Sequence, residues 1–190
     1  MAKGPAVWIG IDGIDGTFKT TACQYIREEI DIPFITFGEG NWPIEIRKNS
    51  DAFAMNVVGQ VAEYLPSMLI DRTLVSTWVY EHLDFNSLPW ETLYPKRKTI
   101  FITLVDDVER TIIREGLQAY SDLKIKRLNE QQRFLQASER LGRKGYPTQI
   151  ISCIGGPEII AAKIIEILRA RQFEILDIEK KKAWEDEFVG

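Results

Sequence analysis

The sequence predicts an α/β fold in which a parallel sheet is covered on both faces by helices. Three observations carry that expectation. Short apolar runs of strand length alternate with longer stretches of helical period. Two of the runs end in aspartate, Asp12 and Asp71. The strands read as near-continuous apolar runs rather than as alternating ones, the pattern of a sheet buried on both sides.

Ala6 to Ile11 is the first strand, ending at Asp12 and followed by a glycine-rich turn. Lys19 to Ile30 is helical, with Ala22, Cys23, Ile26 and Ile30 on one face. Pro33 to Phe37 is a second strand. Phe53 to Tyr64 is a helix closed by Pro66, and Ser67 to Ile70 is a short buried strand that ends at Asp71. Leu74 to Leu83 is helical. Thr99 to Val105 is the clearest strand and leads into Asp106 and Asp107. Val108 to Leu117 and Ile125 to Leu141 are helices joined by a polar connector. Gln149 to Ile154 is the last strand, and Pro157 opens a strongly apolar helix over Ile159 to Leu168.

A chain of 190 residues fits one domain. No repeat or linker divides it, so residues 1–176 read as one domain and 177–190 as a charged tail, either a solvated helix or a frayed end. The composition, 45% hydrophobic and 27% charged, is that of a soluble globular protein. The net charge of −4 argues against a nucleic-acid binder, which usually carries a basic excess. Cys23 and Cys153 have no metal-ligand spacing and read as reduced core thiols. The run Ala6 to Ile11 is too short for a secretion signal or a membrane span, so the chain is expected to have no membrane partner and to stay in the cytoplasm.

The most informative segment runs from Gly10 through Gly13, Asp15, Gly16, Thr17, Phe18, Lys19, Thr20 and Thr21. It leaves a strand and opens a helix, the context of a phosphate-binding loop. Small residues let backbone N–H groups turn toward phosphate oxygens, and the helix N-terminus adds partial positive charge. Lys19 would reach the β- and γ-phosphates of ATP, and Thr20 would offer its hydroxyl to Mg²⁺. Phe18 stands where the usual pattern has glycine. A bulky residue with φ > 0 is strained there unless it makes a contact that glycine cannot. Asp71 and Arg72 form a second constellation: the acid can hold Mg²⁺ and the arginine can fork onto a phosphate.

Gly13-x-Asp15-Gly16-x-x-Lys19-Thr20, followed by Asp71-Arg72-x-x-x-Ser76-x-x-x-Tyr80, resembles the thymidylate kinase family over roughly residues 6 to 170. The resemblance implies a three-layer P-loop NTPase fold with a five-stranded parallel sheet and a small lid at about 114–127. It also implies ATP, Mg²⁺, a deoxynucleoside 5′-monophosphate acceptor and a homodimer. On that resemblance Asp15 faces the sugar 3′-hydroxyl, Arg72 grips the acceptor phosphate and Asp71 sits with the metal. Tyr80 crowds out a 2′-hydroxyl, and Phe53 stacks on the base. Ser76 and Thr77 line the substrate side. Phe53 and Tyr80 also fit plain core aromatics.

The departures bear on the base. The family arginine that reads the thymine carbonyl is replaced by Val57, so Asn56 or Gln60 could read another base edge. After the second strand, Phe37-Gly38-Glu39-Gly40 replaces an Arg-Glu-Pro segment; Glu39 keeps the acid and Arg47 a nearby positive charge. Arg110, Arg114, Lys124, Lys126 and Arg127 gather round the connector that the resemblance makes a lid. Arg114 is the expected lid cation over the transferring phosphate, with Lys124 and Arg127 as alternatives. His82, the only histidine, receives no role. Two other functions fit the same residues: a deoxynucleoside kinase with Glu39 as base, and a nucleotide-binding protein without catalysis.

Overall fold

The buried run Trp8–Asp12 is β1, the centre of a five-stranded parallel sheet with the order β2-β3-β1-β4-β5. The computed structural model describes residues 6–36 and 67–188. The other strands are β2 (Phe34–Thr36), β3 (Met68–Asp71), β4 (Thr99–Val105) and β5 (Thr148–Ser152). The helices are α1 (Lys19–Glu29), α2 (Leu74–Glu81), α3 (Trp90–Leu93), α4 (Val108–Arg114), α5 (Ser121–Arg143) and α6 (Pro157–Phe188).

Side chains alternate across a strand, and that alternation divides the core into two layers. Trp8, Met68, Ile70 and Phe101 point to one face, where they meet Leu74, Trp78 and Val79 of α2, Ile112 of α4 and Phe134 and Leu141 of α5. Ile9, Ile11, Leu69, Ile100, Ile102 and Leu104 point to the other, against Cys23 and Ile26 of α1 and Ile160 and Ile164 of α6. The expected three-layer α/β arrangement is therefore present. Cys23 and Cys153 are both free and buried.

The expected β4 coincides with the observed strand, and the other boundaries shift by a few residues. α2 stops at Glu81 because His82 turns left-handed at φ 56°. α4 stops at Arg114 because Gly116 adopts φ 71°, and Gly116 and Leu117 N–H donate back to the carbonyls of Ile113 and Ile112. α5 begins at Ser121, so helix occupies much of the segment expected to be a lid, and only a short connector precedes it. At the C-terminal end the charged stretch is helical. α6 runs without a break past residue 177 to Phe188, about 48 Å at 1.5 Å per residue. Ile175 still reaches the core, and good helix formers such as Glu and Lys carry the helix onward. α3 was not expected; Trp90 anchors it by donating its indole N–H to the Phe85 carbonyl at 2.8 Å. The helix expected over Phe53 to Tyr64 lies outside the described residues. Among the described residues no helix is long and apolar enough to cross a membrane.

In register, Ile11 of β1 lies beside Asp71 of β3, and Asp12 beside Thr103 of β4. The loop after β1 and the corner after β3 therefore emerge together at the C-terminal edge of the sheet, where open α/β sheets bind ligands.

Candidate active site

The loop after β1 closes on its own lysine. Lys19 is the first residue of α1, and its Nζ donates to the Ile14 carbonyl at 2.7 Å across the loop. Thr17 Oγ1 donates to the same carbonyl at 2.7 Å and lies 3.4 Å from Nζ. Lys19 is buried, and that burial, helped by the nearby Arg72 charge, lowers its pKa to about 8. Gly13 and Gly16 adopt φ 151° and 77°. A Cβ on Gly13 would lie 2.6 Å from the Leu104 carbonyl oxygen, and one on Gly16 would lie 2.5 Å from that of Thr111. The backbone of the loop thus approaches β4 and α4 as only glycine allows. Phe18 is left-handed at φ 60°, as its place in the motif predicts. Its ring lies 4.1 Å from the Arg114 guanidinium, a contact that glycine cannot make.

The corner after β3 faces this loop. Thr20 Oγ1 donates to Asp71 Oδ2 at 2.5 Å, and Thr36 Oγ1 donates to the same oxygen at 3.2 Å. Asp71 Oδ1 is buried and has no hydrogen-bond partner among the described residues. A carboxylate oxygen left bare beside a hydroxyl is a donor set suited to a hard divalent cation, so these residues fit Mg²⁺. Arg72 is also left-handed, at φ 68°. Two bonds pin its strained backbone: Arg72 N–H donates to the Ile11 carbonyl at 2.9 Å, and Thr73 N–H to Asp12 Oδ1 at 2.9 Å.

Asp12 was read from the sequence only as the end of a strand. It is fully buried and accepts three hydrogen bonds: the Thr73 N–H, the Thr73 hydroxyl at 2.6 Å and the Ser76 hydroxyl at 2.7 Å. Burial raises its pKa, opposed by those bonds and by Lys19. Only an aspartate at the end of β1, level with a Thr-x-x-Ser after β3, hints at this role in the sequence.

A cleft of about 810 Å³ opens beside the two corners. Asp15, Arg72, Tyr80, Arg127, His82 and Arg133 line it, among others. Asp15 joins three cations: Arg72 Nη2 at 2.5 Å, Arg127 Nη1 at 3.0 Å and Lys19 Nζ at 4.0 Å. Partial burial would raise its pKa, but Arg72, Lys19 and Arg127 outweigh that and hold it at about 2. Arg127 also meets Glu115 at 2.8 Å and Glu130 at 3.2 Å, and its Nε is buried without a partner among the described residues. The Tyr80 ring packs edge-on against Phe134 at 5.8 Å and lies 5.9 Å from the Arg72 guanidinium. Its hydroxyl is buried with no hydrogen-bond partner among the described residues, and burial pushes its pKa up.

Gly13, Asp15, Gly16, Thr17, Phe18, Lys19, Thr20, Asp71, Arg72 and Tyr80 thus come together, while Thr21 lies exposed on α1. Ser76 is corrected: it is buried and spends its hydroxyl on Asp12, so it faces the core and not a substrate. Thr77 is half-buried and does not line the cleft. Arg114, the expected lid cation, lies against the loop. It ends α4, pairs with Asp106 Oδ2 at 2.6 Å and donates to the Gly16 carbonyl at 2.9 Å, which ties it to the loop. Lys124 pairs with Glu109 at 3.0 Å. Of the basic residues around the connector, Arg127 is the one that reaches Asp15. His82 and Arg133, given no role from the sequence, lie in the cleft, with the guanidinium on His82 Nδ1 and on the Trp78 carbonyl. Glu39, Arg47, Phe53, Asn56 and Gln60 lie outside the described residues.

No family model matches the chain, and no curated protein does. Solved structures do match. The YorR protein from Bacillus subtilis, in complex with phosphorylated GDP, is 20% identical over 86% of this chain and 96% of that one, with a TM-score of 0.66. Thymidylate kinase from Candida albicans is 17% identical over 90% and 94%, also with a TM-score of 0.66. Deoxyadenosine kinase from M. mycoides, with dCMP and dCDP bound, is 13% identical over 86% and 99%, with a TM-score of 0.59. At such identities the likeness carries the fold, and that fold is the P-loop kinase arrangement of a five-stranded parallel sheet between helices.

Proposed function

We propose that this chain, folded as the P-loop nucleotide kinases are, transfers the γ-phosphoryl group of ATP directly and in line to a deoxynucleoside 5′-monophosphate, dTMP or a related one. The observation that carries the proposal is the meeting of two built corners. A glycine-shaped loop encloses Lys19, and beside it Arg72 and Arg127 converge on Asp15 at the mouth of a cleft.

Phosphoryl transfer asks for positioning and electrostatic stabilisation more than for covalent chemistry. The loop amides and Lys19 bind the donor phosphates. Thr20 and Asp71 Oδ1 are the residues that would hold Mg²⁺, which when bound offsets charge on the phosphates. Arg72 orients the acceptor phosphate from a backbone fixed by Asp12. Arg127, one of the alternatives to Arg114 in the sequence, is the cation over the transferring phosphate. Tyr80, wedged against Phe134, shapes the sugar end of the cleft.

Two arginines at the acceptor end favour an acceptor that is already anionic. This supports a monophosphate acceptor over a deoxynucleoside. The test is ADP release from Mg-ATP with each deoxynucleoside monophosphate and each deoxynucleoside side by side. Turnover is expected with monophosphates; turnover with deoxynucleosides alone would reverse the assignment.

A further inference from the structure

We propose that Arg114 is a positioning residue for the phosphate loop: a strap that holds Phe18 in a left-handed backbone conformation otherwise suited to glycine. The proposal rests on the nucleotide-binding function of the loop and adds a part to it.

A strained conformation and three contacts converge. Phe18 has φ 60° and ψ 18°, a conformation disfavoured for any residue with a Cβ. One face of its environment is the apolar cluster shared by α1 and α6, against which the ring packs. The other is the Arg114 guanidinium, 4.1 Å from the ring centroid, in cation–π contact. The same guanidinium donates through Nη1 to the Gly16 carbonyl at 2.9 Å, so one side chain spans the loop from Gly16 to Phe18.

The strap is anchored at its far end. Arg114 Nη1 lies 2.6 Å from Oδ2 of Asp106, whose side chain is 0% exposed. Asp106 Oδ1 accepts from the Asp107 N–H at 2.7 Å and from Arg110 at 2.7 Å, so the carboxylate cannot swing away cheaply. Asp106 follows β4 directly, and Arg114 closes α4. The α4 backbone itself presses on the loop, since the Thr111 carbonyl abuts the Gly16 Cα. These contacts hold the loop from outside, through the Gly16 carbonyl and the Phe18 ring.

A lid cation would act on the transferring phosphate and lower kcat when removed. A strap acts on the loop, and its loss weakens ATP binding most while residue 18 has a side chain to hold, the single bond to the Gly16 carbonyl being lost in either background. The experiment is a double-mutant cycle of Arg114→Met and Phe18→Gly. Mg-ATP affinity is measured by calorimetry and kcat at saturating ATP, with folding checked by circular dichroism. Arg114→Met is expected to raise the ATP Kd about tenfold with Phe18 present and less than about twofold in the Phe18→Gly background, leaving kcat at saturation within about twofold. Equal losses of affinity in both backgrounds, or a drop in kcat in both, overturn the strap. If Arg114→Met does not fold, Asp106→Asn releases the anchor and keeps the guanidinium. It is expected to raise Kd in the same background-dependent way, and no change in Kd overturns the proposal. Wild-type chain that binds no ATP overturns the nucleotide function itself, and the strap's role with it, whereas binding without coupling overturns the strap alone.

Discussion

Replacing Gly16 by alanine tests the close approach on which the phosphate loop depends. At φ 77° an added Cβ enters the left-handed region, at a cost of about 1–2 kcal/mol. The same Cβ would lie 2.5 Å from the Thr111 carbonyl oxygen and 2.9 Å from its carbonyl carbon and Cα, all backbone atoms of α4. Such an overlap is relieved only by moving the loop off α4, an overpacking penalty of about 1–3 kcal/mol. Together these amount to about 2–5 kcal/mol, which for a chain of this size lowers Tm by roughly 5–15 °C. The matched control is Gly116→Ala, where φ is 71° and no atom of the described residues beyond its chain neighbours lies within 4 Å, so only the conformational cost applies. Thermal melts by circular dichroism compare the two, and calorimetry with Mg-ATP reports on the loop. Gly16→Ala is expected to melt well below Gly116→Ala and to bind ATP weakly. Melting temperatures of the two variants within about 2 °C of each other, with ATP binding intact, would refute the packing of the loop on α4.

Asp12→Ala strips the acceptor from the Thr73 N–H and from two buried hydroxyls, and is expected to cost about 2–4 kcal/mol in urea denaturation. It should also raise the acceptor KM by loosening Arg72; an unchanged KM would detach Asp12 from the site. Asp71→Asn is expected to shift the Mg²⁺ dependence of turnover to higher concentration by about tenfold, and a wild-type Mg²⁺ curve would count against Asp71 as a metal ligand. Lys19, with its pKa lowered to about 8, should lose its charge as the pH rises past that value, so ATP affinity should fall about tenfold per pH unit above it. The sign for stability is opposite. The unfolded chain keeps this proton up to the ordinary value of 10.5, so the nucleotide-free protein gains stability between about 8 and 10.5. Calorimetric ATP titrations from pH 7 to 9.5 check the first, and a flat affinity would contradict it.

The layers of the fold were legible because burial on both faces leaves unmistakable apolar runs, and β4 was read to the residue. The loop was legible because Gly13, Gly16, Lys19 and Thr20 are spaced along one continuous turn. What escaped lay between segments distant in sequence. Asp12 meets Thr73 and Ser76 only because β1 and β3 are neighbours in register, so Ser76 read as a ligand when it is a core donor. The basic residues round the connector could not be ranked, since only the packing of α4 and α5 decides that Arg114 faces the loop backbone and Arg127 faces Asp15. The run of α6 past residue 177 stays one of two readings in the sequence, helix or frayed tail, because its charged residues carry helix propensity without an apolar stripe.

Transfer of label from ATP carrying a radioactive γ-phosphate, in the presence of Mg²⁺, to each nucleoside monophosphate in turn is the most direct measurement. Label is expected to appear in a deoxynucleoside diphosphate, and to vanish with Lys19→Ala in a chain that still folds. Label that stays on ATP with every acceptor, or passes only to water, would contradict a kinase built from these two corners.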